Sequence, residues 1–254
     1  MKAMVMWAVL ALLVPLIGAA EAADSKPIVS DKERAVIESV VHDYLKDHPE
    51  VVLEALKSLE DKEREKRVDA AQKAIVTEQD KLRNDPSSFV AGNPKGDVTI
   101  VEFFDYNCGY CRHVAPTLQS LLADDKKIKL VLKEWPIRGA DSLAVTKISL
   151  AAAKQPKFLA FHFALLASEG QVDPAAALAV ARKSGLDMDR LQKDMAAMNN
   201  LEIVQRNDAL AQKIGIEGTP AFVIGTTLVP GAISADKFKQ LIAETRQNCK
   251  QASC

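Results

Sequence analysis

Cys108-Gly109-Tyr110-Cys111 is the strongest chemical signal in this chain of 254 residues. The pair follows a β-branched and aromatic run, Val98 to Phe104, and opens a segment of helical pattern from Cys108 to Leu122. In that context a C-x-x-C reads as a redox pair. The first turn of a helix offers unpaired N–H groups and the positive end of the dipole, which favour a thiolate over a thiol. Cys108 is therefore expected to be the acidic, accessible, attacking sulfur. Cys111, one turn on and deeper, is expected to resolve the mixed disulfide. A half zinc site or an inert structural disulfide are the competing readings. Zinc would need two more ligands, and the other cysteines, Cys249 and Cys254, are separated by four residues in a polar tail. His42, His48, His113 and His162 are scattered without metal spacing, so neither a metal nor an organic cofactor is expected. Cys249 and Cys254 are expected to pair locally, a metal or relay role being the other readings.

Glu102 lies inside the strand that leads to Cys108, between Val101 and Phe103. A buried carboxylate is costly unless paired or protonated, so Glu102 is read either as a proton relay to Cys111 or as a partner for a lysine such as Lys133. Around these residues the pattern Val98–Phe104, Cys108–Leu122, Ile128–Lys133 is a strand-helix-strand unit. Residues 139–215 are alanine-rich and helical throughout, which predicts an inserted helical subdomain. Thr219-Pro220 heads a further strand after Gly218, where a tight turn could hold a cis bond. Ala221–Ile224 and Thr227–Val229 flank Gly225-Thr226 as a hairpin, and a last helix runs from about Ser234 to Gln247.

Upstream, Lys2, an uncharged stretch from Ala3 to Ile17 and the small residues Gly18 to Ala23 read as a secretory leader cut after Ala22, an uncleaved anchor being the alternative. Past it, an oxidising compartment is expected. Residues 23–84 form a charged, helical amino-terminal arm. Ser30-x-x-Glu33 offers a capping box, His48-Pro49 breaks the first helix, and Pro49 can open the second. Apolar stripes at residues 36–45 and 52–59 have little of their own to cover them, which favours burial against other copies over packing on the chain's own domain. The run from Glu60 to Arg67 could stay helical through the four-apart pairs Glu60 with Arg64 and Glu63 with Arg67. Turn formers near residues 84–96 place the domain boundary there, giving a redox domain over 85–248 and a tail over 249–254. With 33 basic and 34 acidic side chains, a net charge of −1 leaves no positive field for nucleic acid, so no nucleic-acid partner is expected.

The motifs Val101-Glu102-Phe103-Phe104-Asp105-Tyr106-Asn107-Cys108-Gly109-Tyr110-Cys111, Lys133-Glu134-Trp135-Pro136-Ile137 and Gly218-Thr219-Pro220-Ala221-Phe222 resemble the DsbA family of bacterial periplasmic thiol–disulfide oxidoreductases. The resemblance covers about residues 90–247. It implies an α/β thioredoxin fold with an inserted helical subdomain, here with an amino-terminal helical arm. The arm, followed by Phe89-Val90-Ala91-Gly92-Asn93-Pro94, is similar to the branch that includes the suppressor-of-copper-sensitivity C proteins. By position, Thr219 and Pro220 inherit the family's substrate loop facing the disulfide, with Tyr110 beside it, and Glu102 matches the family's buried acid. Implied partners are unfolded or misoxidised proteins, a membrane redox partner, and further copies of the chain through residues 24–84. The dipeptide Gly-Tyr replaces the Pro-His of strongly oxidising members, and Thr replaces Val before the proline, which points to exchange or isomerisation in the periplasm. A net dithiol oxidase, or a Cu(I)-binding, chaperone-like protein using the same thiols, are the alternatives.

Overall fold

The computed structural model describes residues 29–251. The leader lies outside them, as does Cys254 and with it the expected pairing to Cys249. Contacts divide the chain into two compact units between Ser58 and Leu59.

The first unit contains helix α1 (Asp31–Asp47) and the opening of α2 (Glu50–Thr77). Ser30 caps α1 reciprocally with Glu33, whose side chain accepts the Ser30 amide at 2.8 Å. Pro49 stands just before α2, its carbonyl accepting from Leu53 at 3.4 Å. None of the apolar stripe of α1 is buried, and Val36 and Val40 are each more than 60% exposed (63% and 62%).

In the second unit, α3 (Gln79–Arg83), β1 (Phe89–Gly92) and β2 (Val98–Phe104) are followed by α4 (Gly109–Asp124) and β3 (Ile128–Glu134). Five helices succeed them: α5 (Ala140–Ala152), α6 (Phe158–Leu166), α7 (Pro174–Lys183), α8 (Met188–Ala197) and α9 (Asn200–Lys213). β4 (Ala221–Ile224), β5 (Thr227–Pro230) and α10 (Ala235–Gln251) complete the unit. The sheet order is β1-β3-β2-β4-β5, with β2 and β3 parallel and the other pairs antiparallel. This is the thioredoxin arrangement with a helical insertion.

Side chains alternate across the sheet, which is why it separates two cores. Ile100, Phe104, Leu130, Leu132, Phe222 and Ile224 point to a large core with α4 to α7 and α10. Val101, Phe103, Val131, Ala221 and Val223 point to a smaller one with Ile75, Leu82, Leu210 and Ile214.

Three details differ from the sequence expectations. Residues 59–83, expected to belong to the arm, group with the redox unit: Ile75 and Leu82 are core residues, and Arg83 donates to the Gly225 carbonyl at 2.8 Å. The tail of the second helix has an apolar stripe too weak to reveal its tertiary partner. The four-apart pairs expected in the charged run are replaced by three-apart ones, Asp61–Arg64 at 2.7 Å and Glu63–Lys66 at 2.8 Å; on a helix both spacings are neighbours. Finally, β1 occupies part of the stretch read as turn formers. Gly92 ends it with φ +71°, and a Cβ there would lie 2.5 Å from the Ile128 carbonyl oxygen, so only glycine allows the strand to close on β3.

Candidate active site

Cys108 is the N-cap of α4, in extended backbone conformation, and Cys111 sits in the first turn. Both are free thiols. The Cys108 Sγ donates to the Thr219 carbonyl oxygen at 3.1 Å, across a cis Thr219–Pro220 peptide bond. The turn that leads from α9 into β4 therefore meets the redox helix at its positive end.

The two sulfurs have opposite chemistry. Hydrogen bonds from the Cys111 thiol and from the Cys111 and Tyr110 amides draw Cys108 down to about 5, against the opposing effect of burial. Burial first, then its bond to Cys108 and the nearby Glu102 charge, push Cys111 far up. The acidity expected of Cys108 is present. The accessibility is not: Cys108 and Cys111 are both fully buried, and the exposed member of the motif is Tyr110, at 67%. The helix cap and the Thr219 turn close over the sulfur, an effect of tertiary packing that spacing along the chain does not carry.

Glu102 is fully buried on the large-core face of β2, and neither carboxylate oxygen has a hydrogen-bond partner. Burial, reinforced by the charge of Cys108, raises it to about 8. The alternative pairing with Lys133 is overturned. Lys133 lies on the neighbouring strand opposite Phe103, so it faces the other core, where its ammonium meets Asp85 at 2.7 Å. The Thr219 hydroxyl is also buried without a partner.

Sequence reasoning passed over a polar seam that holds the approach to Cys108. The Asp105 carboxylate accepts from the Asn107 amide at 2.8 Å, the Ser142 hydroxyl at 2.8 Å and the Arg138 amide at 2.9 Å. The Tyr106 hydroxyl meets Ser149 at 2.7 Å and the buried His162 Nδ1 at 3.0 Å. His162, lowered by burial to about 3, is neutral. A histidine amid Phe161-His162-Phe163 in an apolar helix was the available signal for this burial.

Beside the Thr219 turn runs a groove of about 610 Å³ within the second unit. Ile214, Ile216, Pro220 and Leu228 give it an apolar floor, and Arg64 and Arg67 of α2 stand along it. β5 is an edge strand, so its outer backbone is not used in the sheet.

Fold and site together define a thioredoxin-fold dithiol protein whose nucleophile candidate faces a cis-proline turn. The chain belongs to the DSBA-like thioredoxin domain family, whose model matches residues 99–243. Residues 33–66 match the copper resistance protein ScsC N-terminal domain. A thioredoxin-like oxidoreductase from Silicibacter pomeroyi is 43% identical with a TM-score of 0.64, the match covering 66% of this chain and 98% of that one. Proteus mirabilis ScsC in a transitional conformation is 28% identical with a TM-score of 0.65, over 87% of this chain and 100% of that one. The thiol:disulfide interchange protein DsbA of Bordetella parapertussis is 28% identical over 60% of this chain and 78% of its own length. The chain spans about a fifth of the length (21%) of the curated Na(+)/H(+) antiporter relatives it matches.

Proposed function

We propose that this thiol–disulfide oxidoreductase exchanges and isomerises disulfides of unfolded or misoxidised proteins in the periplasm. The observation that carries the reading is the divergence of the two thiols, Cys108 held down to about 5 and Cys111 pushed far up. Near neutral pH, Cys108 is a thiolate and Cys111 a thiol. The Cys108 sulfur attacks one sulfur of a substrate disulfide; that bond breaks, a Cys108–substrate disulfide forms, and the second substrate sulfur leaves as a thiolate. In isomerisation another substrate thiolate then attacks the mixed disulfide, restoring Cys108 with no net electron transfer. In net reduction Cys111 passes its proton to the Glu102 carboxylate and attacks Cys108, so the substrate disulfide is reduced and the protein dithiol oxidised. A carboxyl at about 8 populates both protonation states near neutrality, which suits proton transfer in either direction. A membrane redox partner, itself a dithiol donor, would then restore the reduced pair.

Thr219 and Pro220, with the groove beside them and the exposed Tyr110, are the proposed substrate contacts, an extended client segment lying along the Thr219 turn. For the arm, the exposed stripe of α1 supports association with other copies, which would set several thiolates around one client by effective concentration.

The test is chemical. Cys108→Ser should abolish exchange with substrate disulfides, whereas Cys111→Ser should trap a mixed disulfide through Cys108. Trapping through Cys111 in the converse variant would sink the assignment. Deleting residues 24–58, the cut that spares Ile75 and Leu82, should yield a monomer by light scattering that still reduces insulin and loses most rescue of scrambled ribonuclease. A monomeric full-length protein would remove the arm from this account and favour a monomeric oxidase.

A further inference from the structure

The three residues before Cys108 are held by the inserted helices more than by the thioredoxin core. Asp105 is bonded to Ser142 of α5, Tyr106 to Ser149 of α5 and His162 of α6. Asn107 goes furthest. Its side-chain amide pairs with the backbone of Val172 as one strand residue pairs with another, accepting from the Val172 N–H at 2.7 Å and donating to the Val172 carbonyl at 2.9 Å. A further bond reaches the Ser142 hydroxyl at 3.2 Å.

Arg112, the residue after Cys111, closes the same arrangement from the other side of the motif. Its Nε donates to the Tyr106 carbonyl at 2.8 Å, one terminal nitrogen donates to the Gly170 carbonyl, and the other reaches the Asn107 side-chain oxygen at 3.4 Å. The loop from α6 to α7 is thus tied to both flanks of the C-x-x-C by side chains that read its backbone. Val172 is fully buried, so its N–H and carbonyl have no water to fall back on.

We propose that Asn107 and Arg112 are positioning residues that lock the 168–172 loop of the helical insertion against the start of α4 and thereby hold the Cys108 sulfur over the first-turn amides. The physical ground is directional. A sulfur at an N-cap gains from the Tyr110 and Cys111 amides only in one orientation, and the backbone of residues 105–108 sets that orientation. With Asn107 removed, the loop and the segment lose the pairing that joins them. Other groups acting on this sulfur remain: Cys111 on α4, Thr219 in the turn before β4 and Glu102 on β2.

The inference rests on Cys108 as the nucleophile, yet its test reads the thiol itself and not turnover. In the reduced full-length protein, thiolate absorbance and iodoacetamide alkylation are followed against pH. Asn107→Ala is expected to move the ionisation of Cys108 up by about one unit, which lowers alkylation well below the pKa about tenfold. Arg112→Lys keeps the charge and loses the planar fork, and should shift the profile in the same direction. Val172→Ala is the control, since it removes buried packing and keeps the backbone groups that Asn107 reads. It should lower Tm and leave the profile in place. An Asn107→Ala profile identical to the parent would overturn the proposal, as would a shift in Val172→Ala equal to that in Asn107→Ala. An Arg112→Lys profile matching the parent would show charge, not geometry, at work and would overturn the role given to the fork. If instead Cys108→Ser leaves disulfide exchange intact, the functional reading fails while the thiol profiles still decide the clamp.

Discussion

On the two faces of the central sheet, Glu102 of β2 and Lys133 of β3 are both buried, and the fold treats them differently. On the large-core face, Glu102 has no partner and is pushed up to about 8, mainly by burial. On the opposite face, Lys133 is just as inaccessible, yet its ammonium is matched by Asp85, whose carboxylate also accepts from the Ser87 amide at 2.9 Å and its hydroxyl at 2.7 Å. A satisfied buried pair is what a fold needs to join segments, here the α3–β1 connection to β3. An unsatisfied buried carboxyl next to two thiols stabilises nothing by itself, and its place there is in keeping with the proton handling proposed for it.

Titration of stability offers the largest effect with which to break this contrast. A carboxyl whose folded value lies near 8 and whose ordinary value is 4.5 binds more protons in the folded state between those limits. The ionisation-linked cost of its burial is therefore absent below about 4.5, grows as pH rises to about 8, and is constant above. Glu102→Gln, in the reduced protein, should match the parent's stability at pH 4 and exceed it by several kcal/mol at pH 9, on the scale of ~1.4 kcal/mol per pKa unit. Urea melts at the two pH values check this, and equal gains at both would contradict it.

The opposite face should answer with the opposite sign. Asp85→Ala leaves the Lys133 ammonium buried and unmatched and is expected to cost about 3 kcal/mol in urea unfolding. Lys133→Met should cost less, about 1 kcal/mol, because Asp85 is partly exposed and keeps its serine donors. Equal losses would mean that burial is not what separates the two partners. The smallest expected effect is none at all. Lys133→Met should leave the alkylation profile of Cys108, with its midpoint near 5, where the parent has it, since the sheet stands between them. A displaced midpoint would show the faces to be coupled.

Much of the redox unit was legible along the chain because its signals are local. The run Val98–Phe104 is a strand to the residue, the Gly225-Thr226 hairpin lies where turn chemistry put it, and the inserted helices span the stretch expected of them. Ser30 and Glu33 cap α1 as their spacing predicts. β1 was hidden because an edge strand of four residues ending in glycine carries no periodic signal. The attachment of residues 59–83 was hidden because Ile75 and Leu82 are single apolar residues whose partners lie far along the chain. In the site, the motif cysteines and Thr219-Pro220 were readable from order and spacing. The seam of Asp105, Asn107 and Arg112 was not, since each is an ordinary polar residue until distant segments arrive beside it, Ser142 37 positions from Asp105, Val172 65 from Asn107 and Gly170 58 from Arg112.

By itself the sequence determined which atoms could react: two thiols one helical turn apart, behind a strand, in a chain whose later strand opens on a proline. Local backbone preference and side-chain chemistry suffice for that, because they act over a few residues. Only the tertiary structure decided how those atoms differ. Cys108 is acidic because the Cys111 thiol, and after it the first-turn amides, are aimed at it, Cys111 is not because burial surrounds it, and Glu102 is unpaired by Lys133 because strand alternation turns Lys133 to the other face. Each of these depends on solvent exclusion and on directions between elements distant in the chain, quantities that no local pattern contains.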